Sequence, residues 1–207
     1  MSGTKNCRDM LKNAVQRFDH PPEPDSRLFR PTSVIALFAK GDSPDSPCLI
    51  FIEKADIPGY PWRNQMAFPG GNCDPEDPSR EATALRELDE EMRIAPRDVE
   101  LIGSIGHFQT INNKDIEAFL GIWKEMGDIL FDPCEISRVF MIPLSHLMAV
   151  HKQKNFMRRK PGIYELVYPY EDVVIWGVTA KIVHHLLEIL ISEISSFHVA
   201  GSYGRPC

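Results

Sequence analysis

The chain has 207 residues, 43% of them hydrophobic and 25% charged, with a formal net charge of −6. That length suffices for one domain with a substantial core, or one domain with appendages, and the acidic balance argues against a nucleic-acid partner. Five scattered cysteines with no CxxC pair argue against a zinc site or a disulfide framework and suit a reducing cytoplasm, while no apolar run reaches membrane-spanning length and the N-terminus lacks an apolar signal core.

Residues 7–19 carry Met10, Leu11, Ala14, Val15 and Phe18 near helical spacing, which predicts a helix. Pro21, Pro22, Pro24 and Pro31 then make 19–31 an extended connector. Residues 1–31 therefore read as an appendage, packed on the domain or mobile, before a domain over 32–197 and a frayed tail over 198–207. Apolar, β-branched runs at 33–39 and 48–53 predict two strands around a turn-rich loop at 40–47. A second loop, 54–64, holds Trp62 and Arg63, which either grip a substrate or, for Trp62, pack beneath the loop.

Met66-Ala67-Phe68 predicts a short strand broken by Pro69-Gly70-Gly71. A helix follows, with Asp77 as N-cap and Pro78 at the first helical position. At 100° per residue, Leu85, Leu88 and Met92 share one stripe, and Glu87, Glu90 and Glu91 share another with Arg86 at its edge. Carboxylates about 6 Å apart repel by about 2–3 kcal/mol at an effective dielectric near 20. On a solvated face this is tolerable; in a cleft it calls for a cation, and carboxylate oxygens suit Mg²⁺ and Mn²⁺. The adjoining Gly70-Gly71 favours the cleft, because backbone there can approach a phosphate closely.

Beyond the helix, 99–108 and 116–123 predict strands around the polar loop 109–115. Another strand is expected at 135–143, with Pro143 opening a short helix to Val150, then a hairpin of 163–168 and 173–176. The basic cluster Arg158-Arg159-Lys160 reads as a solvated loop. The last helix, 178–195, has Ile182, Leu186, Ile189 and Leu190 as its buried stripe. His184 and His185 point about 100° apart on it and so do not form a paired metal site.

The run from Gly71 through Arg86-Glu87-Leu88, Glu90-Glu91 and Ile94 resembles the signature box of the Nudix hydrolase family. Two features depart from it: the spacing before Arg86 is one residue longer, placing Asp77 nearest the first glutamate, and Arg93 stands at the final glycine. The longer spacing, the Val139–Ser145 wording and Ile175-Trp176-Gly177-Val178-Thr179-Ala180 look like the coenzyme A diphosphatase branch, over roughly residues 33–192. The branch's second signature, before the box, is altered: Lys54 ends the run, and Asn64 stands where a glycine is expected.

The resemblance implies an α/β (α+β) Nudix fold, a mixed β-sheet between helices with the box as loop–helix–loop. It implies Glu87, Glu90 and Glu91 as ligands of Mg²⁺ or Mn²⁺, Arg86 as the residue that orients a box carboxylate, and Gly70 and Gly71 as the residues that let the loop fold back under the helix N-terminus. With Trp62 and Arg63, read above from their place before the loop, these glycines are the expected substrate contacts. The helix would end in a shifted position, running on toward Pro96, to accommodate Arg93. Loop 109–115 becomes a specificity element. The general base is left open between a box glutamate and a neighbouring acid such as Glu117, and Cys73 is a bystander.

The implied reaction is hydrolysis of a nucleoside diphosphate linked to a group X. Coenzyme A or an acyl-coenzyme A leads as substrate. The altered pre-box signature keeps NADH, ADP-ribose, a nucleotide sugar or a nucleoside triphosphate as alternatives, and Arg93 keeps a catalytically weak nucleotide-binding module. Relatives of this kind often form homodimers.

Overall fold

The structure, a computed structural model, describes residues 3–25, 28–41, 47–59, 62–124 and 127–201. Most of the loop expected at 40–47, part of the loop at 54–64 and the end of the tail lie outside these residues.

The chain runs α1 (Gly3–Arg17), β1 (Arg30–Lys40), β2 (Pro47–Lys54), β3 (Met66–Ala67), β4 (Gly70–Asn72), α2 (Arg80–Met92), β5 (Val99–Gln109), β6 (Lys114–Trp123), β7 (Ile136–Pro143), α3 (Leu144–Gln153), β8 (Tyr168–Tyr170), β9 (Val173–Ile175) and α4 (Gly177–Gly201). Among the described residues, seven strands form one mixed sheet along β3-β2-β1-β6-β5, with β4 on β1 and β7 on β2; β8 and β9 form a separate hairpin. Within that sheet β1 and β6 pair in parallel, from Arg30 opposite Lys114 to Phe38 opposite Ile122.

Alternation along β1 explains the layers. Ile35, Leu37 and Ala39 point to one face, where they meet Ala84, Leu88 and Met92 of α2 together with Phe119 and Trp123. Val34, Ala36 and Phe38 point to the other, under Leu11, Ala14 and Val15 of α1 and Ile182, Leu186 and Ile189 of α4. A strand buried on both faces reads as an unbroken apolar run, and 33–39 does.

The N-terminal segment is packed on the domain. Lys12 and Arg8 of α1 pair with Glu100 of β5, Lys12 at 3.3 Å. The proline-rich connector lies across β5, where the His107 N–H donates to the Pro21 carbonyl at 2.9 Å and a Cβ on Gly106 would lie 2.6 Å from the Pro21 ring. His185 turns toward this segment, with its Nε2 3.0 Å from Nδ1 of His20, while His184 lies against His151 and Phe156. The adjacent histidines thus diverge, as helix geometry requires. Among the described residues, no helix is long and apolar enough to cross a membrane.

Candidate active site

β1 and β2 pair only over Phe38–Lys40 and Pro47–Leu49, and then diverge. The segment from Met66 to Asn72 fills the resulting wedge. Its first half pairs with β2, Met66 opposite Glu53, and its second half pairs with β1, Gly70 opposite Val34. The Ile35 N–H bonds the Pro69 carbonyl at 2.9 Å between the two halves. Pro69-Gly70-Gly71 therefore does not simply end a strand: it transfers the chain from one strand to the next.

The two glycines serve this passage differently. Gly70 has φ +143°, and a Cβ there would overlap the Ser33 carbonyl oxygen and lie 2.6 Å from Val34 Cα. A Cβ on Gly71 would overlap the carboxylate of Glu87. The loop is a cradle in which that carboxylate lies directly over backbone.

α2 begins two residues later than the sequence suggests. Ser79 is the N-cap, its hydroxyl accepting the Ala82 N–H at 3.1 Å. Asp77 instead braces the loop: it accepts from the Asp74 N–H at 3.0 Å, the Thr83 hydroxyl at 2.8 Å and Nε and Nη2 of Arg86, each at 3.0 Å. Arg86, first among these partners, holds the Asp77 carboxyl well below its ordinary pKa. A capping oxygen was available at either position, and the competing demand of Arg86 decided which residue caps.

The helix also does not run on toward Pro96. It ends at Met92, and Arg93 itself takes the left-handed conformation, φ 56° and ψ 30°, with its N–H on the Asp89 carbonyl at 2.9 Å. Left-handed backbone costs a residue with a Cβ about 1–2 kcal/mol, a penalty glycine escapes. Arg93→Gly is therefore expected to stabilise the protein by about 1 kcal/mol, a rise in melting temperature of about 2–4 °C in thermal unfolding. A fall would show that the arginine side chain contributes more than its backbone loses.

The three box carboxylates occupy three environments rather than one face. Glu91 is buried, 2% exposed, and accepts the Lys54 ammonium at 2.5 Å and the Gly70 N–H at 2.9 Å. Glu87 is half-buried above Gly71, with Oε1 3.0 Å from Nη1 of Arg86; burial pushes its pKa up, against the opposing pull of Arg86. The Glu90 side chain is 58% exposed and accepts from the same Nη1 at 2.8 Å. The three do not converge within 4.8 Å of one another. Arg86 thus bridges Asp77, Glu87 and Glu90, and its Nη2 also reaches the Asn72 carbonyl at 3.3 Å.

Glu87 and Glu91 both open onto a cavity of about 470 Å³, with Gly70 and Gly71 in its wall. Lys54, Lys114 and Lys181 supply positive charge to the same space. Lys114 donates to the Asn72 side chain at 3.1 Å, and burial, then Lys54 and Arg30, push its pKa down. Trp62 lines the cavity, as do Gln109, Thr110 and Ile111 of the turn between β5 and β6, Ile163, and Trp176 at the foot of α4. Arg63 is exposed beside Asp56, at 3.7 Å, and is not among the lining residues. Glu117 is likewise not a lining residue; it lies 3.8 Å from both Arg80 and His107. Glu90 also faces outward, away from the lining.

Hard divalent cations take carboxylate oxygens, and the Gly71 cradle leaves room for a ligand carboxylate that any side chain would fill. The residues present therefore fit a Mg²⁺ or Mn²⁺ ion held by Glu87 and Glu91, with Glu90 next to them on the same helix.

The family described as NUDIX domain matches residues 29–163. An uncharacterized Nudix hydrolase, NudL, of Photorhabdus laumondii is 32% identical over 126 residues, 60% of this chain and 67% of that protein. NudL of Yersinia pestis is also 32% identical, over 60% of this chain and 63% of its own length. The match thus spans about two thirds of these relatives. Among solved structures, the NUDIX domain of Shewanella oneidensis NrtR complexed with ADP ribose superposes with a TM-score of 0.52 at 16% identity, covering 86% of this chain and 97% of that one. A MutT/nudix family protein from Enterococcus faecalis gives 0.52 at 15% identity, covering 93% of this chain and 75% of that one. At such identities the likeness speaks for the fold, a mixed sheet between helices.

Proposed function

The chain belongs to the Nudix domain family, and from that premise we propose that it is a pyrophosphohydrolase acting on a nucleoside diphosphate joined to another group X. The observation that carries this reading is one cavity shared by Glu87, Glu91, the Gly70-Gly71 backbone and three lysines. Hard-cation ligands, close backbone and positive side chains together suit a diphosphate.

A divalent ion bound there would neutralise diphosphate charge and make a water more acidic. The chain's own part is positional. Lys114 and Lys181 face the cavity as cations for phosphate oxygens, and Gly70 and Gly71 let those oxygens approach the backbone. Arg86 holds Glu87 and Glu90 in fixed rotamers. In the overall step the water oxygen bonds to one phosphorus and the bridging P–O bond breaks. A nucleoside monophosphate and phospho-X leave, and the water's protons pass to solvent.

Coenzyme A or an acyl-coenzyme A is the leading substrate. The box spacing, the Val139–Ser145 segment and Ile175–Ala180 support it, as does the largely apolar far wall of Trp62, Ile111, Ile163 and Trp176, which suits an extended, weakly polar arm. Lys54 and Asn64, which depart from the branch wording, favour the second reading: another nucleotide such as ADP-ribose, NADH, a nucleotide sugar or a nucleoside triphosphate. Phosphate-ester release from such a panel, with Mg²⁺ or Mn²⁺ and with chelator, separates the two. Selective cleavage of coenzyme A to phosphopantetheine and an adenosine bisphosphate is the expected result. Metal-dependent cleavage of another member would move specificity to Trp62 and the 109–115 turn, and no cleavage at all would refute the hydrolase.

Arg86→Lys tests the positioning role. One ammonium cannot reach Asp77, Glu87, Glu90 and Asn72 together, so turnover is expected to fall about 10–100-fold. Unchanged turnover would make this network structural alone.

A further inference from the structure

A second cluster of ligand-type side chains lies on the opposite side of the sheet from α2. His151, in the last turn of α3, is fully buried, and its Nε2 lies 2.8 Å from Oε1 of Glu188. Glu188 and His184 are four residues apart and share one face of α4. The His151 and His184 ring centroids are 5.0 Å apart, and one ligand atom from each of the three residues lies within 4.8 Å of the others.

We propose that His151, His184 and Glu188 form a metal site separate from the box, for a borderline divalent ion of the Zn²⁺ class.

The donor chemistry selects the ion. Two imidazoles and one carboxylate suit Zn²⁺ or Co²⁺ rather than Mg²⁺, and two histidines with one glutamate leave a fourth position for water. Two of the three ligands, His151 and Glu188, also have groups in place behind them, and Nε2 of His184 lies 3.3 Å from the Phe156 carbonyl. With Nε2 on the ion, His151 Nδ1–H would donate to the Tyr168 hydroxyl, 2.9 Å away and buried. The other oxygen of Glu188 is held by the Arg158 N–H at 3.0 Å. Such outer partners fix ring tautomer and carboxylate orientation. The ion would replace the hydrogen bond between His151 and Glu188, opening that separation from 2.8 Å to about 3.3 Å for tetrahedral ligation. His184 and Glu188 are half-buried, which leaves the site reachable from solvent.

A second group, Glu23, His107 and Asp115, has comparable spacing but already contains a cation: Arg80 lies 2.8 Å from Asp115 and 3.0 Å from Glu23. Among the described residues, no lysine or arginine side chain pairs with Glu188. An ion at Glu188 would fasten the end of α3 to the middle of α4. The first turns of that helix give Val178, Thr179 and Ile182 to the cavity wall, so the ion would brace this wall.

The test uses the full chain carrying Glu87→Gln and Glu91→Gln, so that the box no longer competes. After chelation, titration with Co²⁺ is expected to give one equivalent bound, with the intense visible absorption of a four-coordinate site, and Zn²⁺ is expected to displace it. Adding His184→Ala or Glu188→Gln should weaken binding by about tenfold or more. Glu188→Gln keeps the shape of the side chain, so it decides the matter if His184→Ala disturbs the fold. No stoichiometric binding in the box variant, or binding unchanged by Glu188→Gln, would overturn the site and leave the Tyr168–His151–Glu188 chain as a hydrogen-bonded strut.

Discussion

Glu87→Gln and Glu91→Gln are each expected to lower turnover by about a hundredfold or more, because each would replace a charged carboxylate of the proposed hard-cation site with a neutral amide. Their effects on stability differ. Glu87 sits half-buried over Gly71, and a glutamine there keeps the shape while removing a carboxylate that burial already disfavours. Little stability is lost. Glu91 is buried between Lys54 and the Gly70 N–H. Its glutamine can still accept from Gly70 but leaves the Lys54 ammonium without a counter-charge, at a cost of about 1–3 kcal/mol. Steady-state turnover with saturating Mg²⁺, read alongside thermal unfolding in chelator, separates the two effects. Near-normal turnover in both variants would remove the metal site from the box.

The contrast between these two glutamates also shows what the sequence could and could not convey. Periodicity located α2, and the apolar runs located β1, β2, β5 and β6, because burial on one or two faces imposes a pattern along the chain itself. The same periodicity grouped Glu87, Glu90 and Glu91 on one face. A helical wheel has no knowledge of the neighbour at its flank. The β4 backbone approaches that flank, burying Glu91, half-burying Glu87 and leaving Glu90 to solvent. The sequence marks Arg86 as the orienter of one box carboxylate; the folded chain also has it draw Asp77 from the N-cap into the loop. Lys114 and Lys181 carry no local signal at all. They meet Lys54 only because the parallel pairing of β1 with β6 and the return of α4 bring distant segments to one cavity. The end of α2 is a similar case. A non-glycine at the box's final glycine position suggests a longer helix, yet the fold holds Arg93 left-handed, since Ile94 directly after it must enter the core beneath α2.

Gly70→Ala is expected to destabilise the protein by more than about 4 kcal/mol, a fall in melting temperature of at least about 8 °C. The added Cβ would meet the Ser33 carbonyl and Val34 Cα, both backbone atoms of β1. That strand is locked on its other side by parallel pairing with β6 and cannot yield. The backbone at Gly70, φ +143°, is also one that L side chains rarely adopt. Gly71→Ala gives the opposite balance. The nearest atoms to its Cβ would be those of the Glu87 carboxylate, the end of a flexible side chain that can be displaced at the expense of its bond to Arg86. Melting should change by less than for Gly70→Ala, while turnover falls because Glu87 leaves its cradle. The pair therefore separates the architecture of the loop from its chemistry. A Gly70→Ala protein that melts within about 2 °C of the parent would mean that β4 does not pair with β1 in this register, a shift of under about 1 kcal/mol for a chain of this size.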